Sequence, residues 1–221
     1  MNTKKLIAEF LGTFLFFFIG MGAVVANQFS GGAVGLLGIA AAHGLALSVM
    51  VSALGAVSGA HFNPAVTFGF MLTKRISVSV GIQYILAQLV GGILAGLLLH
   101  TIFPSELCAT THFGTPTIAN GISVINAIVL EAILTFALVI TVFGTAVDSR
   151  APKIGGFGIG LIVMAEIFIG GPITGAAMNP ARAFAPAIVS GMWENQFVYW
   201  VGPLLGGGLA ALVYDKFMME K

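Results

Sequence analysis

Two short stretches, His61–Val66 and Ala177–Arg182, hold most of the chemistry in this sequence, and each contains Asn-Pro-Ala. Asn followed by Pro predicts a helix start, because Asn caps the first turn and Pro takes a position whose N–H would be unbonded. Both stretches lie within long apolar sequence. Lipid tolerates an interrupted helix only where the backbone lines a cavity or is buried in protein. We therefore expect two half-helices at a pore, starting at the motif residues Asn63, Pro64, Ala65, Asn179, Pro180 and Ala181.

The motif asparagines could contact whatever occupies such a pore. Each half-helix N-terminus is the positive end of a helix dipole, and each amide can donate into the lumen while its oxygen caps the helix. A water molecule held by two donors cannot relay protons along a continuous hydrogen-bonded chain, and two positive helix ends repel cations. The simpler alternative is that each Asn only caps a helix.

Arg182 follows the second motif on the first turn of its half-helix. An arginine at membrane depth is costly unless it faces a cavity or a partner. We expect it to line the outer part of the pore, to offer donors and to repel cations. The alternative is a side chain that snorkels to the outer interface.

Two acids, Glu9 and Glu131, are each followed by Thr four residues later, which places each pair on one helix face. A buried carboxylate needs donors. We expect each acid to accept N–H groups from the loop before a half-helix, so that the carbonyls of that loop face the lumen. The alternative is a proton relay of a pump.

The histidines and the cysteine add less. His43 lies mid-span and is open between interhelical hydrogen bonding and pore lining, whereas His61 is expected to lock its loop. His100 and His112 are expected at the outer surface. Cys108 is the only cysteine, which excludes an intrachain disulfide. We expect no metal site and no cofactor.

The composition indicates an integral membrane protein, because 58% of the 221 residues are hydrophobic and only 8% are charged. The net charge of +1 and the lack of a basic cluster argue against a nucleic-acid partner. About 20 apolar residues are needed to cross the bilayer, and six segments fit. The spans are placed at about 6–25, 34–57, 78–102, 125–147, 154–170 and 197–214.

Two further apolar segments, Asn63–Leu72 and Asn179–Ser190, are too short to cross. If each segment enters the membrane and returns to the side from which it came, eight of the nine basic residues fall on one side of the membrane. The positive-inside rule makes that side the cytoplasm, with both termini there. Only Arg182 falls elsewhere.

The two halves of the chain repeat. Glu9-Phe-Leu-Gly-Thr matches Glu131-Ala-Ile-Leu-Thr, and the second Asn-Pro-Ala follows the first by 116 residues. Three spans per copy is an odd number, so the second copy must be inverted, with sites near the midplane where discontinuous helices meet. The predicted fold is all-α: six transmembrane helices plus two re-entrant half-helices. We expect one channel domain over 1–221, with inverted repeats at about 1–110 and 120–221.

These motifs resemble an aquaporin of the major intrinsic protein family over essentially the whole chain. The resemblance implies a homotetramer of independent pores that pass water and small neutral solutes in single file and exclude protons. It also implies that backbone carbonyls line the pore, from Gly59, Ala60, His61 and Phe62 in one half and Gly175, Ala176, Ala177 and Met178 in the other. We expect a bilayer location in the cell (inner) membrane.

By the same resemblance, the outer constriction maps to His43, Ile167, Ala176 and Arg182. Typical water-selective bacterial members carry Phe on the second span and His on the fifth, and this sequence departs at both. The set is similar to that of plant tonoplast intrinsic proteins, several of which are associated with ammonia as well as water. Some of those proteins bring a loop histidine to the constriction, for which His112 is the candidate here. Glycerol facilitators characteristically have Asp after the Arg, where this chain has Ala183.

The leading hypothesis is a passive water channel that also admits ammonia or other small neutral solutes. A facilitator of glycerol, urea or ammonia is the alternative within the same class. An ion-coupled secondary transporter also uses inverted repeats, and a junction protein would need an adhesive outer face, against which the short, weakly charged outer loops argue. No enzymatic activity is expected.

Overall fold

The structure, a computed structural model, describes residues 2–152 and 154–220. Lys153 and Lys221, two of the basic residues used to orient the chain, lie outside the described residues. Across the described part the regular structure is helical, which confirms the all-α prediction. The nine α-helices of this part are α1 (Thr3–Phe29), α2 (Gly35–Ser58), α3 (Pro64–Leu72), α4 (Val78–Ile102), α5 (Ser105–Thr111), α6 (Val124–Val142), α7 (Phe157–Thr174), α8 (Pro180–Ser190) and α9 (Val198–Val213).

Six of these helices are the predicted spans. Helices α1, α2, α4 and α7, and the helical run Val124–Val147, are each long and apolar enough to cross a membrane. The sixth, α9, has 16 residues and continues directly into a π-helical turn, Tyr214–Met218. The run Val198–Met218 is about 30 Å long at the rise of a helix, which matches the hydrocarbon core.

Several details differ from the expectation, among them the first span, which is longer at both ends (Thr3–Phe29). The fifth span begins at Phe157 and extends to Thr174, because the segment before it forms turns. The fourth span ends in a π-helical turn, Phe143–Val147. The polar segment after α4 contains a short helix, α5, and a 3-10 turn, His112–Gly114.

The two half-helices, α3 and α8, connect the repeats. Helix α3 packs on α9 and α8 packs on α4, so each half-helix lies against the third span of the other repeat. The spans α1 with α4, and α6 with α9, form the closest long pairs. Glycines permit these crossings: a Cβ on Gly91 would lie 2.5 Å from the Phe10 carbonyl oxygen, and one on Gly206 would collide with the backbone of Ala132.

The exposed basic residues of the described part sit at one end of the bundle. Lys5 shares a surface pocket with the start of α4, and Arg75 and Arg150 form ion pairs with Asp215 and Glu220 near the end of the chain. Arg182 is the buried exception among the described basic residues.

Candidate functional site

Asn63 and Asn179 cap the two half-helices and also connect them. Each has an extended backbone and accepts a backbone N–H in the first turn, from Ala65 at 2.8 Å and from Ala181 at 3.0 Å. The Nδ2 of Asn63 donates to the Met178 carbonyl at 2.8 Å, and that of Asn179 donates to the Phe62 carbonyl at 2.9 Å. One N–H of each amide is therefore used across the junction, which leaves the second N–H for the lumen.

The loops before the half-helices have the same unusual backbone in both repeats. Positive φ angles occur at Gly59 (92°), Ala60 (50°) and Phe62 (49°), and again at Gly175 (84°), Ala176 (46°) and Met178 (50°). Left-handed backbone at a non-glycine residue costs about 1–3 kcal/mol and persists only where the surroundings enforce it. The repetition at corresponding positions indicates that the backbone course of both loops is determined by the same interactions.

Glu9 supplies those interactions in the first repeat. Its Oε1 accepts from the Ser58 hydroxyl at 2.7 Å and the His61 N–H at 2.9 Å. Its Oε2 accepts from the Phe62 N–H and from Gln88 Nε2, both at 2.8 Å. The carboxylate is fully buried, so these donors compensate for its lost hydration.

Glu131 does the same in the second repeat. It accepts from the Thr174 hydroxyl at 2.7 Å and from the N–H groups of Ala177 (3.0 Å) and Met178 (2.7 Å). A tyrosine hydroxyl secures the end of the preceding helix in each repeat, from Tyr84 to the Ser58 carbonyl and from Tyr199 to the Thr174 carbonyl, both at 2.9 Å.

These bonds determine where the loop carbonyls point. In a planar trans peptide the N–H of one residue is antiparallel to the C=O of the residue before it. Since the His61 and Phe62 N–H groups face Glu9, the carbonyls of Ala60 and His61 point away from it. The Ala60 N–H bonds the Ser58 hydroxyl at 3.0 Å, which turns the Gly59 carbonyl the same way. The corresponding carbonyls of the second repeat are Gly175, Ala176 and Ala177.

The six carbonyls accept no hydrogen bond from the described residues. The fourth carbonyl expected in each half, that of Phe62 and of Met178, accepts instead from the asparagine of the other repeat.

Two cavities run through the molecule and meet. The inner cavity is lined by both motif asparagines and both loops, and it extends to Ala146 and Val147 at the basic end of the bundle. The outer vestibule is lined by the segment Thr111–Ala119 and the end of α7. Four residues line both cavities: His43, Ile167, Ala176 and Arg182, the set that the family resemblance assigns to the outer constriction.

Arg182 and His43 form a hydrogen-bonded pair at this constriction. The His43 Nδ1 lies 2.9 Å from the Ile39 carbonyl, which can only accept, so Nδ1 carries the proton and Nε2 is free to accept. Arg182 Nε donates to that Nε2 at 3.3 Å, and Nη1 donates to the Gly114 carbonyl at 2.8 Å. Both side chains are buried. The remaining guanidinium N–H groups are available to the lumen.

Two other histidines are placed as follows. The His61 ring is buried and lies 3.1 Å from the Thr67 hydroxyl, which itself donates to the Asn63 carbonyl at 3.0 Å, so the ring is fixed beside the first motif.

His112 does not line the outer vestibule. It lines a separate outer pocket together with His100. The prediction that His112 reaches the constriction is therefore wrong. The backbone carbonyl of Gly114 takes that place.

The mouth of the inner cavity at the basic end of the bundle is held by an ion-pair network. Asp148 follows Val147 directly and accepts from Arg150 Nε (2.9 Å), Arg150 Nη2 (2.6 Å) and the Tyr214 hydroxyl (3.2 Å). The Arg150 hydrogen bonds hold the pKa of the Asp148 carboxyl well below its usual range, although burial of Asp148 opposes them. Arg150 also donates to the Met218 carbonyl at 2.7 Å, which attaches the C-terminal segment to this mouth.

Glu166 is a buried carboxylate that the sequence motifs leave unassigned. It is 4% exposed, and neither of its oxygens has a hydrogen-bond partner among the described residues. It lines neither cavity. Its neighbours in α7, Val163 and Ile167, face the inner cavity.

The comparisons with known proteins agree with this geometry. The sequence profile described as major intrinsic protein matches residues 1–214. The chain belongs to the major intrinsic protein family. Among its relatives in this family is aquaporin TIP4-4 of Zea mays, 44% identical over 226 residues that cover 99% of this chain and 88% of the relative. Probable aquaporin TIP3-2 of Arabidopsis thaliana is 46% identical over 231 residues, covering 99% and 85%.

A solved structure of a family member shares the fold. The aquaglyceroporin from Plasmodium falciparum superimposes with a TM-score of 0.88 at 24% identity, covering 99% of this chain and 97% of that one. The relatives confirm the resemblance to TIP-type aquaporins that the motifs and the constriction indicate. The chain is thus an integral, multi-pass membrane protein of the major intrinsic protein family and not an enzyme.

Proposed function

We propose that this protein is a passive channel that conducts water in single file and excludes protons and other ions. The observation that carries the proposal is the junction of the two cavities at His43, Ile167, Ala176 and Arg182, just outside the point where the two half-helices meet. The six loop carbonyls that accept no hydrogen bond from the described residues, and the second N–H of Asn63 and of Asn179, provide acceptors and donors in one lumen. Water can exchange its bulk hydrogen bonds for these as it passes.

The same groups account for proton exclusion. The N-termini of α3 and α8 place two positive dipole ends at the junction, and the two amide N–H groups bind the oxygen of a central water. A water in that position donates outwards in both directions, so a proton cannot hop through it. Arg182 adds a full positive charge at the constriction, which repels cations before they reach the junction.

A wider range of neutral solutes is the second candidate. Two of the four constriction residues, Ile167 and Ala176, are aliphatic, and none of the four is Phe, Tyr or Trp. An aliphatic and partly small lining makes the opening wider and less polar than a ring of aromatic and polar side chains. We propose that ammonia, and to a lesser degree urea and glycerol, also pass.

An ion-coupled transporter is disfavoured by the position of the paired acids. Glu9 and Glu131 line neither cavity, and their oxygens are occupied by loop donors. A coupling carboxylate would have to face the permeation path and exchange its proton or ion there.

We propose further that the protein is a homotetramer in the cell membrane with both termini in the cytoplasm. Family membership supports the tetramer, and the exposed basic residues at one end of the bundle support the orientation. A single chain is enough to form both cavities and the four residues that they share, which supports one pore in each subunit. Light scattering on the purified protein measures the oligomeric state directly.

Osmotic shrinkage of reconstituted liposomes, followed by stopped-flow light scattering, tests the proposed function. Wild-type vesicles should shrink much faster than empty ones, and swelling in isosmotic ammonia, urea or glycerol gradients should define the solute range. The variant Ala176→Trp, which places an indole at the constriction, should remove the excess water flux, whereas Leu86→Trp on an exposed face should retain it. Shrinkage at the rate of empty vesicles would contradict the proposal. Solute flux that requires an ion gradient would favour the transporter.

A further inference from the structure

Gly20 on α1 lies directly behind one of the constriction residues. A Cβ at this position would lie 2.5 Å from His43 Cδ2, 2.6 Å from His43 Nε2 and 3.0 Å from His43 Cγ. These three atoms of the imidazole are its nearest neighbours. The glycine thus provides the space that the ring occupies.

The other sides of the His43 ring are also defined. Its Nδ1 is bonded to the Ile39 carbonyl at 2.9 Å, and the Phe16 ring meets it edge-on with 6.2 Å between centroids. Its Nε2 accepts from Arg182 at 3.3 Å. The lumen takes the remaining side, because His43 lines both cavities. A ring displaced from Gly20 would therefore move towards Arg182 and the permeation path.

Gly20 differs in this respect from the glycines at the helix crossings. A Cβ on Gly91 or Gly206 would meet the backbone of the neighbouring helix, so those positions control how closely two helices approach. A Cβ on Gly20 would meet the far end of one side chain. Its effect is therefore transmitted to the constriction and not to the packing of the bundle.

We propose that Gly20 is a specificity-determining residue of this channel, which acts by recessing the His43 imidazole and so sets the width of the constriction. The proposal rests on the proposed channel function. Its solute class is that of small neutral polar molecules larger than water. A methyl group at Gly20 would push the ring into the opening and lower the size of the largest solute that passes.

The test is a double-mutant cycle of Gly20→Ala and His43→Ala in proteoliposomes. The permeants form a series of increasing size: water, ammonia, formamide, urea and glycerol. Gly20→Ala should lower the flux of the largest solute that the wild type conducts by about tenfold, the discrimination that one methylene gives in a close-fitting site. Gly55→Ala is the matched control, because its Cβ would have no neighbour within 4 Å.

The double variant separates this mechanism from a packing defect. If Gly20 acts through His43, adding Gly20→Ala to His43→Ala should change no permeability, since the ring it would displace is absent. The same reasoning applies to folding. If Gly20→Ala alone does not reconstitute but the double variant does, the result supports the proposal. An unchanged solute size limit in Gly20→Ala overturns the proposal. So does a double variant that fails to fold, or one that loses function relative to His43→Ala alone. Wild-type vesicles without water flux would instead contradict the channel function itself.

Discussion

At the scale of single residues, Arg182 combines a structural and an electrostatic role. Its Nε and Nη1 are bonded to His43 and to the Gly114 carbonyl, and the rest of the guanidinium faces the constriction. The fork geometry of the guanidinium allows these donors to act at fixed angles. The charge is therefore held at one place in the lumen.

We expect Arg182→Val to raise proton or cation leak through the pore while water flux continues. The reason is the loss of a buried positive charge at the point where the two cavities meet, where its field is weakly screened. An internal pH-sensitive dye in proteoliposomes measures the leak. Lys216→Val is the control, because Lys216 is an exposed basic residue near the end of the chain. An unchanged leak in Arg182→Val would remove the role assigned to this residue.

The three buried glutamates are expected to respond differently to the same substitution. Glu9→Gln and Glu131→Gln replace an acceptor oxygen with an amide nitrogen and leave at least one buried donor unpaired, which costs about 1–3 kcal/mol. Both variants should lower the thermal midpoint of the protein in detergent. Glu166→Gln should leave it unchanged or raise it, since the Glu166 oxygens have no partner among the described residues. Equal destabilisation by all three would show that the loop hydrogen bonds are not the cause.

At the scale of elements, the half-helices are held by their caps and by the bonds between the two motifs. Asn179→Ser should keep the cap, because Ser is a good N-cap residue, but should lose the bond to the Phe62 carbonyl. Asn179→Ala should lose both. We expect losses of about 1 kcal/mol for Ser and roughly 2 kcal/mol for Ala in thermal unfolding.

Asn126→Ser, in the first turn of α6 and exposed, is the control and should have little effect. If the two Asn179 variants were equally stable, the bond between the motifs would contribute nothing.

Local sequence chemistry predicted the half-helices and most spans well. Asn-Pro places the starts of α3 and α8, and α4 has the predicted bounds Val78–Ile102. The outer segment was not predicted in this way. Its left-handed run is His112, Phe113 and Gly114, and the first two are residue types that do not signal a turn. The contact it makes, through the Gly114 carbonyl, is a backbone contact, which no side-chain type reveals in the sequence.

The four constriction residues were predicted as a set only through the family resemblance, although Arg182 was already placed at the outer pore by its motif. Ile167 and Ala176 are ordinary apolar residues in apolar sequence, and spacing alone does not single them out. Their position at the meeting point of two cavities depends on how α7 and the second loop pack against α2. Gly20 is a similar case, because a glycine in a transmembrane helix indicates packing in general and gives no sign of a particular side chain behind it.

At the scale of the whole molecule, the mouth of the inner cavity at the basic end is joined to the chain end through Asp148 and Arg150. The pKa of Asp148 lies below its ordinary value in the folded protein, so its contribution to stability is present above that ordinary value and is lost only as the pH falls through the lowered one.

The difference in thermal midpoint between wild type and Asp148→Asn should therefore stay constant from about pH 7 to about pH 5. Thermal unfolding in detergent across this range measures it. A difference that disappears within this interval would mean that Asp148 has no depressed pKa in the protein. Asp215→Asn is a useful comparison, since Asp215 pairs with Arg75 at the same end of the bundle, where both side chains are about one-third exposed.

The central claim is that one lumen, formed where two inverted half-helices meet, passes water and stops protons. The most direct measurement follows both fluxes in the same proteoliposomes, with light scattering for water and an internal pH-sensitive dye for protons. We predict water flux far above that of empty vesicles, together with proton flux equal to that of empty vesicles. Proton flux that rises with the amount of reconstituted protein, in step with water flux, would contradict the account.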